Sequence, residues 1–299
     1  MDAGYRSGFV GIIGRPNVGK STLLNYYLQQ KVAIVSPRPQ TTRHRILGVL
    51  TRDDAQVMFL DSPGFHKPEH ALDRYMQGTA KTVVEEADVA LILVDASRGI
   101  TDEDERVFSY LRQAKRRAIL ALNKVDLIKK PRLLPLLEAG AKTNLFAECI
   151  PVSAATGAQM DVLLARLIAL LPEGPRWYEP EHFTDQTTRQ LIAEFIREQA
   201  LLATRQEVPY AVAVLVDQIE DQPQLTVIQA TLFVDRPGQK AILIGKSGSM
   251  LKRIGQEARR QIERLLGRKV YLGLWVKVVE GWRSNPRLLQ ELGYAGMGP

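Results

Sequence analysis

Residues 14–21, with the sequence GRPNVGKS, constrain the fold of this chain more than any other feature. They match the phosphate-binding loop pattern in full, and they lie directly between a predicted strand and a predicted helix. In such loops the glycines allow backbone N–H groups to wrap a polyphosphate, and the helix N-terminus adds positive partial charge. The sequence therefore predicts a P-loop nucleotide site. The residues expected to contact the nucleotide here are Gly14, Asn17, Val18, Gly19, Lys20, Ser21 and Thr22.

The first half of the chain alternates short β-rich runs with helical patterns. The runs at residues 8–13, 46–51, 55–60, 89–94, 119–122 and 149–152 predict strands, most of them separated by amphipathic helices. This alternation predicts an α/β fold, a mostly parallel sheet with helices on both faces. Ligands of such sheets bind at the carboxyl ends of the strands, and the motifs of this chain follow its predicted strands.

Two further segments carry residues expected to meet Mg²⁺ and the γ-phosphate. Lys20 should reach the β- and γ-phosphates, and the Ser21 hydroxyl should bind Mg²⁺. After the third strand, Asp61 can hold the metal through water and the Gly64 N–H can meet the γ-phosphate, although a plain turn would have the same composition. In the proline-containing segment before the second strand, we favour Thr42 as the residue that completes the Mg²⁺ shell. The catalytic candidates are Lys20, Thr42 and Gly64, and the metal candidates are Ser21, Thr42 and Asp61.

The segment Asn123-Lys124-Val125-Asp126 follows the fifth predicted strand and predicts which base is bound. A carboxylate at Asp126 can accept hydrogen bonds from guanine N1–H and the 2-amino group, whereas adenine offers neither donor. Asn123 and the stem of Lys124 should brace the base and the loop. Ser153 and Ala154, after the last strand, are a weaker signal for a backbone donor to guanine O6. The structural alternative is a polar strand-to-helix turn.

The composition is that of packed globular domains, with 45% hydrophobic and 24% charged residues in 299. The longest apolar runs, residues 89–94 and 162–171, are too short or too interrupted to cross a bilayer, and the N-terminus lacks a signal pattern. The single cysteine, Cys149, permits no disulfide or zinc cluster within one chain. We expect a soluble, cytoplasmic monomer without a membrane span; peripheral membrane association stays open.

The second half predicts a different domain. After the breaker-rich residues 172–180, the pattern predicts a helix at 187–205, strands at 210–216 and 226–234, a short helix, a helix at 250–266 and a strand at 270–278. Residues 238–288 contain twelve Lys or Arg against three Glu, which indicates contact with a polyanion or a solvated basic surface.

All of these motifs in this order resemble the Era family of bacterial ribosome-associated GTPases. The resemblance includes the residues 37–43 (PRPQTTR), 61–68 (DSPGFHKP) and 208–211 (VPYA). It implies a Ras-like GTPase domain at residues 1–172, a linker at 173–185, and a smaller α+β, type II KH domain with a C-terminal tail at 186–299. It further implies GTP and GDP binding and contact with the 3′ end of 16S ribosomal RNA during 30S subunit assembly.

The KH resemblance makes a Gly-x-x-Gly loop and the helix after it the expected clamp for single-stranded RNA. Its glycines let the backbone approach phosphates, and the basic side chains attract them. The RNA-binding candidates are Gly245, Lys246, Ser247, Gly248, Lys252 and Arg253.

The residue after Gly64 is Phe65, where many Ras-like proteins carry a glutamine that orients the attacking water. We therefore expect slow unaided hydrolysis. In related GTPases an asparagine at the place of Asn17 helps to hold a monovalent cation such as K⁺; the alternative is that Asn17 only shapes the loop. Two other functions stay open from the sequence, an RNA-recruitment module in which GTP binding is secondary and a binding protein with an inactive nucleotide site.

Overall fold

The structure, a computed structural model, describes residues 4–38, 40–64, 69–205 and 208–294. The chain divides into two compact units, Met1–Lys67 with Met76–Asp185 and Pro68–Tyr75 with Gln186–Pro299. Within the described ranges, no helix is both long enough and apolar enough to cross a membrane. The predicted role of Phe65 falls on a residue outside these ranges.

The helices and strands that follow one another up to residue 170 alternate as the sequence predicted. They are β1 (Arg6–Ile13), α1 (Lys20–Leu28), β2 (Ile46–Thr51), β3 (Ala55–Asp61), α2 (Ala71–Glu86), β4 (Val89–Asp95), α3 (Asp102–Ala114), β5 (Arg117–Asn123), α4 (Leu133–Lys142), β6 (Glu148–Pro151) and α5 (Met160–Leu170).

These six strands form one sheet in the order β2-β3-β1-β4-β5-β6. All neighbouring pairs are parallel except β2 and β3, which are antiparallel. The connection between β2 and β3 is too short for a crossover helix, so it permits only an antiparallel pair. Every residue of β4 is buried, because apolar clusters cover both faces of the sheet. The predicted mostly parallel α/β sheet is confirmed.

Residues 172–185, which we call the connector, are tied to the edge of this sheet. The Val49 N–H donates to the Phe183 carbonyl at 2.9 Å, and the Thr184 hydroxyl donates to the Leu47 carbonyl at 2.7 Å. The buried amide of Gln56 accepts from Trp177 N at 2.7 Å and donates to the Tyr178 carbonyl at 2.8 Å. The connector thereby satisfies backbone groups of the edge strand β2, which would otherwise face solvent.

The second unit contains a three-stranded sheet packed against helices. Its elements are α6 (Thr188–Ala203), α7 (Val208–Ala211), β7 (Ala213–Asp221), β8 (Thr226–Val234), α8 (Pro237–Ile244), α9 (Ser249–Leu266), β9 (Val270–Val278) and α10 (Pro286–Glu291). The sheet order is β7-β8-β9, with β7 antiparallel and β9 parallel to β8.

The predicted strand at 210–216 was wrong in its first residues. The structure forms the short helix α7 over residues 208–211, and the strand runs from Ala213 to Asp221. Pro209 lies in the first turn of α7, where its fixed φ suits a helix and its missing N–H costs nothing. The polar end of β7, residues 217–221, belongs to a hairpin with β8. Because this end is exposed, it has no apolar pattern from which a strand could be predicted.

Candidate functional sites

The loop between β1 and α1 is closed around its own lysine. The buried Lys20 ammonium donates to the carbonyl oxygens of Gly14 and Arg15, both at 3.0 Å. Burial lowers the pKa of Lys20 to about 8, although the charge of Asp61 opposes that shift. A phosphate bound in this loop would supply the negative charge that favours the protonated amine.

Glycine is required at one end of the loop. Gly19 has a φ of +104°, and a Cβ built on it would lie 2.3 Å from the Asn123 amide nitrogen. Any side chain at Gly19 would displace Asn123, a residue expected to brace the base.

The three predicted metal residues converge on one point. The Ser21 hydroxyl donates to Asp61 Oδ2 at 2.7 Å and lies 2.8 Å from the Thr42 hydroxyl. Burial raises the pKa of Asp61 to about 6, against the lowering effect of Lys20. Asp61 Oδ1 is buried and has no hydrogen-bond partner among the described residues. This set of oxygen donors fits Mg²⁺, which prefers carboxylate, hydroxyl and water oxygens.

Gly64 lies directly against the phosphate loop. A Cβ built on Gly64 would come within 2.7 Å of the Pro16 nitrogen, so only glycine permits this approach. Thr42 and Gly64 line the same cleft as Lys20. The structure therefore brings the three catalytic candidates together.

The side chains of the base-recognition motif connect three loops. Asn123 Nδ2 donates to the Val18 carbonyl at 2.7 Å, and Asn123 Oδ1 accepts from the Ala154 N–H at 2.9 Å. The Ser153 hydroxyl donates to Asp126 Oδ1 at 2.6 Å, which fixes the carboxylate and leaves Oδ2 for a ligand. Because the Ala154 N–H already has an acceptor, its contact with guanine O6 stays a prediction.

Two acids that support these loops were not predicted. Asp95, at the end of β4, pairs with the Lys124 ammonium at 2.7 Å. Burial would raise the pKa of Asp95, but hydrogen bonds from Lys124 and Ser97 outweigh it and the pKa is lowered. Asp104, in the first turn of α3, forms a buried ion pair with Arg15 at 3.2 Å. Asp95 could have been predicted, because an acid at the carboxyl end of a parallel strand lies near the ligand. Asp104 could not, because its partner Arg15 is distant in the sequence.

The Gly-x-x-Gly loop joins α8 to α9 in a left-handed turn. Gly245 has a φ of +73°, and a Cβ there would lie 2.7 Å from the Met250 Cβ. Ser247 and Gly248 also have positive φ values, 52° and 79°. The turn leaves Lys246 and Ser247 exposed at its tip, where a polyanion can reach them.

A groove runs from this loop between α9 and β9. Lys252 and Arg259 of α9 line it, and its apolar residues include Leu272 and Leu274 of β9. The predicted RNA contact Arg253 is not among the lining residues; its guanidinium donates to the Ala203 carbonyl at 3.4 Å. The groove thus combines basic and apolar side chains, as single-stranded RNA requires for its phosphates and bases.

Two family models match this chain, one in each unit. Residues 9–124 match the family model described as 50S ribosome-binding GTPase, and residues 207–283 match that of the KH domain. The chain is 46% identical over 290 residues to GTPase Era of Heliobacterium modesticaldum, with 97% of each chain covered.

Two solved structures extend over the same length. A crystal structure of Era in complex with MgGDPNP and nucleotides 1506–1542 of 16S ribosomal RNA has a TM-score of 0.95 and 42% identity, and covers 97% of this chain and 99% of its own. An Aquifex aeolicus Era variant bound to GDP and AlF₄⁻ has a TM-score of 0.94, 42% identity and the same coverage.

The α/β sheet with its phosphate loop, followed by a Gly-x-x-Gly groove, defines a P-loop GTPase joined to a KH domain. The sequence identity to Era proteins, which extends over 97% of the chain, shows the family within this class. The chain belongs to the Era family of GTPases.

Proposed function

We propose that this protein is a GTP-hydrolysing switch that binds 16S ribosomal RNA near its 3′ end through the KH domain and acts in 30S subunit assembly. One observation carries the proposal: the 42%-identical Era structure, aligned over 97% of this chain, holds both MgGDPNP and a 16S ribosomal RNA segment. The domain bounds that we attach to this function are 1–172, 173–185 and 186–299.

The roles of the nucleotide-site residues follow from their positions. Lys20 would neutralise the β- and γ-phosphates, and Ser21, Thr42 and Asp61 would hold Mg²⁺, Asp61 through water. Mg²⁺ supplies charge neutralisation to the transferred phosphoryl group. The Gly64 N–H would contact the γ-phosphate, and Asp126 would select guanine. Positioning and electrostatics are the main terms in phosphoryl transfer, so this set suffices for a slow GTPase.

A monovalent cation is the proposed substitute for the missing glutamine. The Asn17 side-chain nitrogen donates to the Pro37 carbonyl at 2.8 Å, which leaves its side-chain oxygen as the atom that can bind a cation. We expect hydrolysis to run faster in K⁺ than in Na⁺ at equal ionic strength, and Asn17→Ala, which removes the side-chain oxygen, to abolish that difference. Equal rates in the two salts would leave Asn17 as a residue that only shapes the loop.

Single-turnover GTP hydrolysis tests the whole proposal, with and without purified small ribosomal subunits. Subunits should accelerate hydrolysis by the native protein but not by a Lys246→Asp/Ser247→Asp variant. The two aspartates lie in the Gly-x-x-Gly loop of the KH domain, where they would repel the phosphates of the RNA. The basal rate of that variant is the control and should equal that of the native protein. Retained RNA binding with no hydrolysis under any condition would favour a recruitment module, and no RNA binding by the native protein would refute the KH assignment.

A further inference from the structure

One face of β9 carries two aromatic residues separated by a glycine, with a lysine at each end of the row. Successive side chains of a strand point to opposite faces, and Leu274 faces α9, 3.4 Å from a Cβ built on Gly255. The odd-numbered residues therefore share the opposite face of the sheet. We call this row the outer strip: Tyr271, Gly273, Trp275 and Lys277 of β9, with Lys269 one residue before the strand.

The aromatic members of the outer strip are unusually accessible. Tyr271 is 58% exposed and Trp275 is 54% exposed. A Cβ built on Gly273 would lie 3.0 Å from Cη2 of the Trp275 indole and 2.1 Å from Gln229 Oε1. The indole therefore extends along β9 over Gly273, and a larger residue at Gly273 would push it away.

The outer strip is continuous with the groove between α9 and β9. Tyr271 lines that groove together with Lys252 and Arg259. Because β9 is an edge strand, a polymer that leaves the groove past Tyr271 reaches Trp275 without crossing the sheet. The acids of this face, Asp217 and Glu220, lie on β7 at the other edge.

We propose that the outer strip is a second contact for the single-stranded RNA that occupies the groove, with Trp275 stacking on a base and Lys277 meeting a phosphate. The inference rests on the proposed function of the KH domain. Exposed aromatics beside cations are the usual means of holding single-stranded RNA without reading its sequence. A KH groove takes about four nucleotides, so only a longer RNA can reach Trp275.

RNA length separates the two contacts in a binding experiment. Trp275→Ala should weaken binding of a ten-nucleotide RNA by about 5- to 150-fold, the range expected for one lost base stack, and leave a four-nucleotide RNA unaffected. Gly273→Glu should act in the same direction, because it displaces the indole and adds negative charge. Trp177→Ala removes a tryptophan that is 64% exposed in the other unit, and it should change neither affinity.

Fluorescence gives a second readout, in which Trp275 itself is retained. The chain has three tryptophans; Trp282 is fully buried and Trp177 can be replaced by Phe, which leaves Trp275 as the accessible one. The ten-nucleotide RNA should quench this emission and protect it from acrylamide, whereas the four-nucleotide RNA should not.

The outcomes distinguish failure of this inference from failure of the proposed function. If Trp275→Ala leaves the ten-nucleotide affinity unchanged while Lys246→Asp/Ser247→Asp abolishes it, the outer strip is not an RNA contact. If Trp275→Ala weakens binding to whole subunits but not to naked RNA, the strip contacts a protein and the inference is wrong. If neither RNA binds the native protein, the proposed function itself fails.

Discussion

At the scale of single residues, the choice of base depends on one fixed carboxylate. Ser153 holds Asp126 Oδ1 at 2.6 Å, so the carboxylate cannot rotate freely away from a bound base. Asn123 bridges Val18 and Ala154 and thereby fixes the base-recognition loop against the phosphate loop. The sequence predicted Asp126 because its chemistry is local to a motif, whereas the positioning role of Ser153 needed the structure.

Asp126→Asn should change the base that the protein prefers from guanine to xanthine. Xanthine replaces the 2-amino donor with a carbonyl, to which an amide can donate, and guanine would leave the amide with an unmatched donor. We expect a loss of at least about 100-fold in GTP affinity and a gain for xanthosine triphosphate, measured by nucleotide titration. Ser153→Ala is the companion variant, with a smaller loss for GTP and no gain for xanthosine triphosphate. Equal binding of ATP and GTP by the native protein would contradict this assignment.

The aromatic residues of the outer strip could not have been predicted as surface residues from the sequence. Tyr271 and Trp275 stand in an apolar run, and such residues are ordinarily part of the core. Their exposure follows from the fact that the other face of β9 packs against α9, which is a tertiary fact. Arg253 was predicted from its position after the Gly-x-x-Gly loop; it is exposed but does not line the groove, so its RNA contact stays a prediction.

At the scale of elements, patterns with a strict period or a fixed motif were predictable and irregular segments were not. The strands of the first sheet are buried on both faces and appear in the sequence as apolar runs. The connector contains Pro172, Gly174, Pro175 and Pro180, which predicted an irregular segment. It is irregular, yet its hydrogen bonds to Gln56 and β2 tie it to the sheet, because breakers prevent a regular helix without preventing specific contacts.

Thr184→Val should loosen the connector from β2. The side chain is nearly isosteric, but the Leu47 carbonyl loses the hydrogen bond from the hydroxyl of Thr184, which is only 9% exposed. We expect a cost of about 1 to 2 kcal/mol in the free energy of unfolding, with faster amide hydrogen exchange in β2. Thr82→Val is the matched control, because its hydroxyl bonds to the Gly78 carbonyl on an exposed helix face. Its cost should stay within about 0.5 kcal/mol; equal effects of the two variants would mean that the connector contact contributes nothing.

At the scale of the whole molecule, the connector that leads into the second unit is tied to β2, the strand that follows the Thr42 segment. Thr42, a proposed Mg²⁺ ligand, lies four residues before β2. The connector pairs with Leu47 and Val49 of β2 and leads directly into α6, the first helix of the second unit after the connector. We therefore expect a displacement of Thr42 to be transmitted along β2 and the connector to the start of α6.

GTP and RNA binding should accordingly be thermodynamically coupled, with the GTP-bound protein holding RNA more tightly than the GDP-bound protein. In proteins of this class the γ-phosphate orders the segments around Thr42 and Gly64, which gives the chain a two-state element. Couplings of this kind are typically about 1 to 3 kcal/mol, or roughly 5- to 150-fold in affinity, and RNA must then raise GTP affinity by the same factor.

The measurement is the dissociation constant of one RNA with GDP and with a non-hydrolysable GTP analogue, at one fixed salt concentration because phosphate contacts depend strongly on salt. Thr184→Val should bring the two constants closer together without abolishing either binding event, since it weakens the link between β2 and the connector and touches neither site. Thr82→Val should leave their ratio unchanged. A native ratio of one would refute a nucleotide-controlled RNA switch and leave two independent binding modules. A native ratio that survives Thr184→Val intact would mean that the coupling does not pass through the connector.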